Sequence, residues 1–162
     1  MVPVGVGALA AATVNHFKAA EPAPTIIGVE PLTANCVLES IRAGTMVTVP
    51  GPHESIMAGL NCGTPSQVAW PLVSRGLDLV VATDDDWARE AMRTLATSGI
   101  TAGETGAAAL AGLMALLSGE NAPALRRSLG LDTDVSVLLV CTEGATDADA
   151  YRAIVGAGFA AQ

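Results

Sequence analysis

Short runs of β-branched and leucine residues recur along this chain, each separated from the next by a stretch of helical character. Thr25–Val29 (TIIGV), Leu79–Ala82 (LVVA) and Val135–Cys141 (VSVLLVC) read as buried strands. Ala8–Ala20, Thr33–Ala43, Ser66–Arg75, Asp84–Ser98, Ala107–Leu117, Pro123–Leu129 and a segment from Ala148 read as helices. Such alternation predicts an α/β fold, a mostly parallel sheet flanked by helices. Ligands in these sheets bind at the carboxyl ends of strands. Attention therefore falls on the loops that follow strands: GVGALA, VEP and TEGATD.

Local signals support the boundaries. Gly44 follows the second helix, and Pro71 would start or kink the third. Thr83 is placed to cap the fourth helix, with Asp84, Asp85 and Asp86 in its first turn, where the helix dipole favours acids. That acidic run reads as a helix start rather than a metal site. Thr45–Gly63 is a Gly- and Pro-rich loop long enough to carry function.

At 162 residues the chain fits one domain. Its apolar content is 51%, mostly Ala, Val and Leu, with only 3% aromatic, which suits helices packed closely on a sheet. A net charge of −8 argues against nucleic acid as a partner. Val2–Val14 is apolar, but no Lys or Arg precedes it and glycines interrupt it, so a secretory signal is not expected. Ala107–Leu117 is too short to span a bilayer, so no membrane partner is expected. Cys36, Cys62 and Cys141 are widely spaced without a Cys-x-x-Cys, which argues against a disulfide framework or structural zinc and suits a reduced, cytoplasmic protein.

GVGALA fits G-x-G-x-x-A, a glycine turn feeding a helix, and such turns hold phosphate on backbone N–H groups. Glu30 ends the next strand, about where a ribose-binding acid belongs. Taken alone, the turn is compatible with NAD, with another phosphate ligand bound without catalysis, or with a purely structural role.

The order of segments narrows this. GVGALAAA, IIGVEP, TANCVLESIRAG, SIMAGLNCGTPSQVAW, AGETGAAALAGL and VLLVCTEGATD occur in succession. Together they resemble the C-terminal half of the diaminopropionate ammonia-lyases, within the tryptophan-synthase-β-like, fold-type-II family of pyridoxal-phosphate enzymes. The resemblance runs from Val2 to about Ala157, and MAGLNCGTPS is its most specific segment. AGETGAA has Thr105 where the family pattern GESG has Ser, which keeps the hydroxyl.

The resemblance implies the rest. The fold would be part of the large domain of such an enzyme, and residues 1–162 its C-terminal portion. The cofactor would be pyridoxal 5′-phosphate, its phosphate held by Gly5, Val6, Gly7 and Ala8. Gly59 would lie near the cofactor ring, with Asn61 and Cys62 towards the substrate, although Cys62 reads more readily as a small buried hydrophobe. Glu104 would sit close to the cofactor, and Thr142 would face the pyridine nitrogen as a neutral hydroxyl. The reaction would be β-elimination: 2,3-diaminopropionate and water to pyruvate and two ammonia, with the amino acid as small-molecule partner. That chemistry needs a Schiff-base lysine, which in the family lies in the N-terminal half. Lys18 is the only lysine here and matches no family motif. No catalytic residue is therefore assigned, and the chain is expected to be inactive until an N-terminal half or a partner chain supplies the lysine. Members are commonly dimers, so a homo-oligomer is expected of the complete protein.

Overall fold

The computed structural model describes residues 1–131 and 134–156; Ala157, the far end of the resemblance, lies outside them. In chain order the elements are β1 (Val2–Pro3), α1 (Ala8–Phe17), β2 (Ile27–Pro31), α2 (Cys36–Ala43), a 3-10 turn (Ala58–Leu60), α3 (Trp70–Gly76), β3 (Leu79–Thr83), α4 (Asp85–Thr97), α5 (Ala108–Leu117), α6 (Ala122–Ser128) and α7 (Ala148–Val155). The strands form a parallel sheet in the order β1-β2-β3. Val2 pairs with Gly28, and β2 pairs with β3 from Ile27–Leu79 to Pro31–Thr83. The expected α/β architecture is present.

Each face of the sheet carries its own core. Val2, Val4 and Ile26 pack with Ala10, Ala11 and Val14 of α1, Val37 of α2 and Val73 of α3. A second cluster joins Met57 and Leu60 to Ala88, Ala91 and Met92 of α4, to Ala108 and Ala111 of α5, and to Tyr151 of α7. Small residues let the layers close up. A Cβ on Gly112 of α5 would stand 2.5 Å from Val29 Cγ2, so this helix crosses β2 with no room for a side chain. A Cβ on Gly76 would stand 2.1 Å from Val14 Cγ1, which draws α3 equally close to α1.

Two expectations are corrected, and one strand is added. Asp84, not Thr83, caps α4: its Oδ1 accepts the Asp86 and Trp87 N–H groups at 3.1 and 3.2 Å. Thr83 instead ends β3, and its buried hydroxyl finds no hydrogen-bond partner among the described residues. Val2–Pro3 is a strand, although only four residues precede the glycine turn. Val135–Cys141 is not a strand. It lies beside Met1, whose amino group donates to Leu138 O (2.7 Å) and whose carbonyl accepts the Val140 N–H (3.1 Å). The neighbouring β1 is two residues long and one of them, Pro3, has no N–H, so the ladder does not continue.

Glu30 shows what a short strand can do for a helix. It is fully buried at the end of β2, and its two carboxylate oxygens accept the Val37 and Leu38 N–H groups of α2, each at 2.8 Å. The nominal cap, Asn35, makes no side-chain cap bond. Burial nevertheless outweighs these bonds and pushes the Glu30 carboxyl up to about 7.

Two outcomes follow. Gly112→Ala raises helix propensity by about 1 kcal/mol, yet overpacking against Val29 outweighs it; denaturant titration will show a net loss of about 1–2 kcal/mol. The folded Glu30 pKa lies above its ordinary value of 4.5, so the folded state holds the extra proton between about pH 4.5 and 7. The stability this group contributes is full below that window and is lost as pH rises through it, by about 3 kcal/mol at 1.36 kcal/mol per unit. Urea midpoints at pH 5 and 7.5 will show this fall for the unmodified chain and little of it for Glu30→Gln.

Candidate functional site

The carboxyl ends of the strands gather the loops that the sequence singled out. β1 runs into the turn Gly5–Val6–Gly7–Ala8. Gly7, at φ 95°, is the left-handed residue that turns the chain into α1, a conformation suited to glycine. The first turn of a helix leaves N–H groups without intrahelical partners and carries partial positive charge. Ala8 and Leu9, in that turn, are exposed. The other edge of the glycine turn is fixed where the Ser66 N–H donates to Val6 O at 2.8 Å.

Gly5 meets the loop that carries Gly59. A Cβ on Gly5 would stand 3.2 Å from both Gly59 O and Cys62 Sγ. Gly59 in turn meets the turn before α5. Its N–H donates to Thr105 Oγ1 (3.1 Å), and a Cβ there would stand 3.1 Å from the Thr105 methyl. The hydroxyl at position 105 is thus an acceptor for the Gly59 backbone.

The turn at 103–106 closes on the last loop. Glu143 Oε2 accepts the Thr105 N–H (3.2 Å), and Glu143 O accepts the Gly103 N–H (3.0 Å). Gly103 and Gly106 allow this approach: added Cβ atoms would stand 2.4 Å from Gly144 O and 2.1 Å from Glu143 O. Glu104 is half-buried between two residues tied to Glu143. Thr142 is exposed, one residue before Glu143. Gly5, Gly59, Glu104 and Thr142 therefore lie on segments stitched together in series, and Val6, Gly7 and Ala8 lie on the first of them.

Other residues have different employment. Both Asn61 side-chain atoms turn back on Ser55: Oδ1 accepts its N–H (3.1 Å) and Nδ2 donates to its carbonyl (2.8 Å). Asn61 is thereby tied into its own loop. Glu30 is committed to α2, which leaves a dinucleotide reading without its ribose-binding acid. Cys36 donates to Gly5 O at 3.7 Å, and burial, with Glu30 nearby, pushes its thiol up to about 12. Lys18 lies just past the far end of α1. Its Nζ donates to Pro24 O (3.0 Å) and Asp78 Oδ2 (2.7 Å). His53 packs against Gly63 and pairs with Val49 O at 3.0 Å.

The sequence reading missed Ser66 and Glu143. Glu143 lay within the quoted TEGATD, but its partners, Gly103 and Thr105, are about forty residues away, and no local pattern reveals that contact. A groove of about 320 Å³ lies elsewhere. It is lined by Met1, Phe17, Ile26, Leu113 and Val137 among others, towards the amino ends of the strands, and is mostly apolar. Without convergent polar groups it is a weaker candidate for chemistry than the stitched loops. No helix of the described residues is long and apolar enough to cross a membrane.

Known proteins match this arrangement. The family described as pyridoxal-phosphate dependent enzyme matches residues 1–142. Diaminopropionate ammonia-lyase of Salmonella typhimurium is 34% identical across 98% of the chain, which covers 42% of that relative. Phenylserine dehydratase of Ralstonia pickettii is 34% identical across 84% of the chain, again covering 42% of the relative. The solved structure of holo diaminopropionate ammonia lyase from Escherichia coli superposes with a TM-score of 0.84 at 30% identity, over 99% of this chain and 42% of that one. The chain thus spans about two-fifths of the length of these relatives. The α/β sheet is part of a fold-type-II architecture, and the chain belongs to the family of pyridoxal-phosphate-dependent enzymes.

Proposed function

We propose that this chain is the phosphate-binding portion of a pyridoxal-phosphate-dependent β-eliminating ammonia-lyase, converting 2,3-diaminopropionate and water to pyruvate and two ammonia. The observation that carries this reading is the serial contact of Gly5, Gly59 and Thr105 at one end of the sheet. It brings a phosphate-type turn and a bare backbone loop together, as a flat ring bearing a phosphate requires.

The residues fit the cofactor. Backbone N–H groups at Gly5–Ala8 and the start of α1 would hold the phosphate. Gly59 would present backbone to the ring, and Glu104 would stand close by. Thr142 would offer a neutral hydroxyl to the pyridine nitrogen. Pyridoxal phosphate, when bound, supplies an electron sink for the charge left by removal of the α-proton. The chain's own contribution is to grip and orient that group.

The nucleophilic lysine is the part not supplied. Lys18 is separated from the phosphate turn by the ten residues of α1, about 15 Å at 1.5 Å per residue. It is also engaged in an ion pair with Asp78. We assign the lysine to a further segment, joined in one polypeptide or brought by a partner chain, and residues 1–162 to the C-terminal portion. The exposed Val135, Val137 and Leu138, beside an unfinished sheet edge, support a surface that another segment covers.

Two measurements test this. The isolated chain will release no pyruvate from 2,3-diaminopropionate, while co-expression with a lysine-bearing N-terminal half of a relative will restore release; activity of the isolated chain overturns the reading. Borohydride treatment with pyridoxal phosphate will leave Lys18 unlabelled in peptide mass analysis, and a stoichiometric adduct there would make Lys18 the missing nucleophile.

A further inference from the structure

The loop carrying Gly59 is held from beneath by an acid that the proposed chemistry does not use. Asp85 opens α4. Its Oδ1 accepts the Ser55 hydroxyl at 2.5 Å, and its Oδ2 accepts the Ile56 N–H at 3.1 Å. The same Ser55 hydroxyl accepts the Met57 N–H at 3.1 Å. Ser55 is buried, and Asn61 bonds it on both backbone groups, so residues 55–61 close into a small ring of bonds. Gly59 lies within this ring.

The three consecutive acids are thus divided by role. Asp84 caps α4, Asp86 pairs with Arg89, and Asp85 turns to the loop. α4 is a firm base for such a contact. Ala88, Ala91 and Met92 are fully buried in the same cluster as Met57 and Leu60. At the first helical position the dipole favours the Asp85 carboxylate. Charge-assisted bonds to a hydroxyl and an amide are stronger than neutral ones.

We infer that Asp85 is a positioning residue. Through Ser55 and Ile56 it sets the height at which the Gly59 backbone faces the ring of the cofactor, while Thr105 holds the other side. This rests on the reading above, in which Gly59 faces that ring. Apolar burial of Met57 and Leu60 would keep the loop near the core without Asp85, but would not fix the backbone of Gly59.

Hydrogen–deuterium exchange on the whole chain is the first test, comparing the unmodified protein with Asp85→Ala, Ser55→Ala, the double variant and the control Asp86→Asn. Exchange of residues 55–61 will accelerate about tenfold to a hundredfold in either single variant, the scale for loss of a charge-assisted hydrogen bond. The double variant will exceed either single one but fall short of their sum, because the two groups share one bond while Asp85 also holds the Ile56 N–H and Ser55 the Met57 N–H. The control will leave the loop unchanged. The second test measures affinity for pyridoxal phosphate and for inorganic phosphate on the same variants. Asp85→Ala will weaken pyridoxal phosphate about tenfold and leave inorganic phosphate unchanged. Equal loss for both ligands, uniform acceleration of exchange across the chain, or an unaltered loop would overturn the inference. If the unmodified chain binds neither ligand, the reading of Gly59 as ring-facing falls, and the positioning role falls with it. The exchange data then still report whether Asp85 holds the loop.

Discussion

Close approach of bare backbone is the constraint on which this molecule depends. Gly5 lies against the Gly59 carbonyl, Gly59 against Thr105, and Gly103 and Gly106 against the Glu143–Gly144 backbone. A Cβ at Gly103 or Gly106 would force the loops apart, and one at Gly5 or Gly59 would crowd them. The helices follow the same rule: Gly112 admits Val29 and Gly76 admits Val14. A chain rich in Gly and Ala and poor in aromatics thereby draws its layers and its loops into contact through main chain rather than bulky side chains. Hydrogen bonds then add direction, from Gly59 to Thr105 and from Thr105 to Glu143.

Electrostatics divides the helix starts by task. α4 and α7 have aspartate caps from their own N-cap residues, Asp84 and Asp147. α2 takes its acceptor from Glu30 at the end of β2, buried and far above the usual carboxylate range. α1 has no acid in its first turn and no side-chain cap. α3, α5 and α6 also lack both, but α1 is the helix start placed after the glycine turn, where an anionic ligand can supply the charge that carboxylates supply at α2, α4 and α7.

Much of the fold was legible. The runs TIIGV and LVVA mark β2 and β3, with β2 displaced two residues towards Pro31. Pro71 does start α3, and Gly44 does end α2, in the left-handed conformation. The misread strands have one cause. VSVLLVC has the composition of a strand, but a strand exists only by pairing, and among the described residues its backbone bonds across only to Met1. Val2–Pro3 lacks strand length, yet it is a strand because β2 lies beside it. Of the site, the glycine turn carried its own signal. Glu143 and Ser66 did not, because their roles lie in contacts distant in sequence.

By itself, then, the sequence determined the alternation of elements, the glycines at close approaches, the acidic starts of helices, and a family likeness strong enough to point to the cofactor. These are local properties, written in periodicity, conformational freedom and residue type. Tertiary structure decided which extended runs become strands, that Glu30 belongs to α2 and not to a ribose, that Asn61 bonds back to Ser55, and that Asp85 grips the Gly59 loop. Each of those depends on groups twenty or more residues apart, or on which of several nearby partners a polar group meets. Hydrogen bonds are short-ranged and directional, so that choice is made only when the chain has folded.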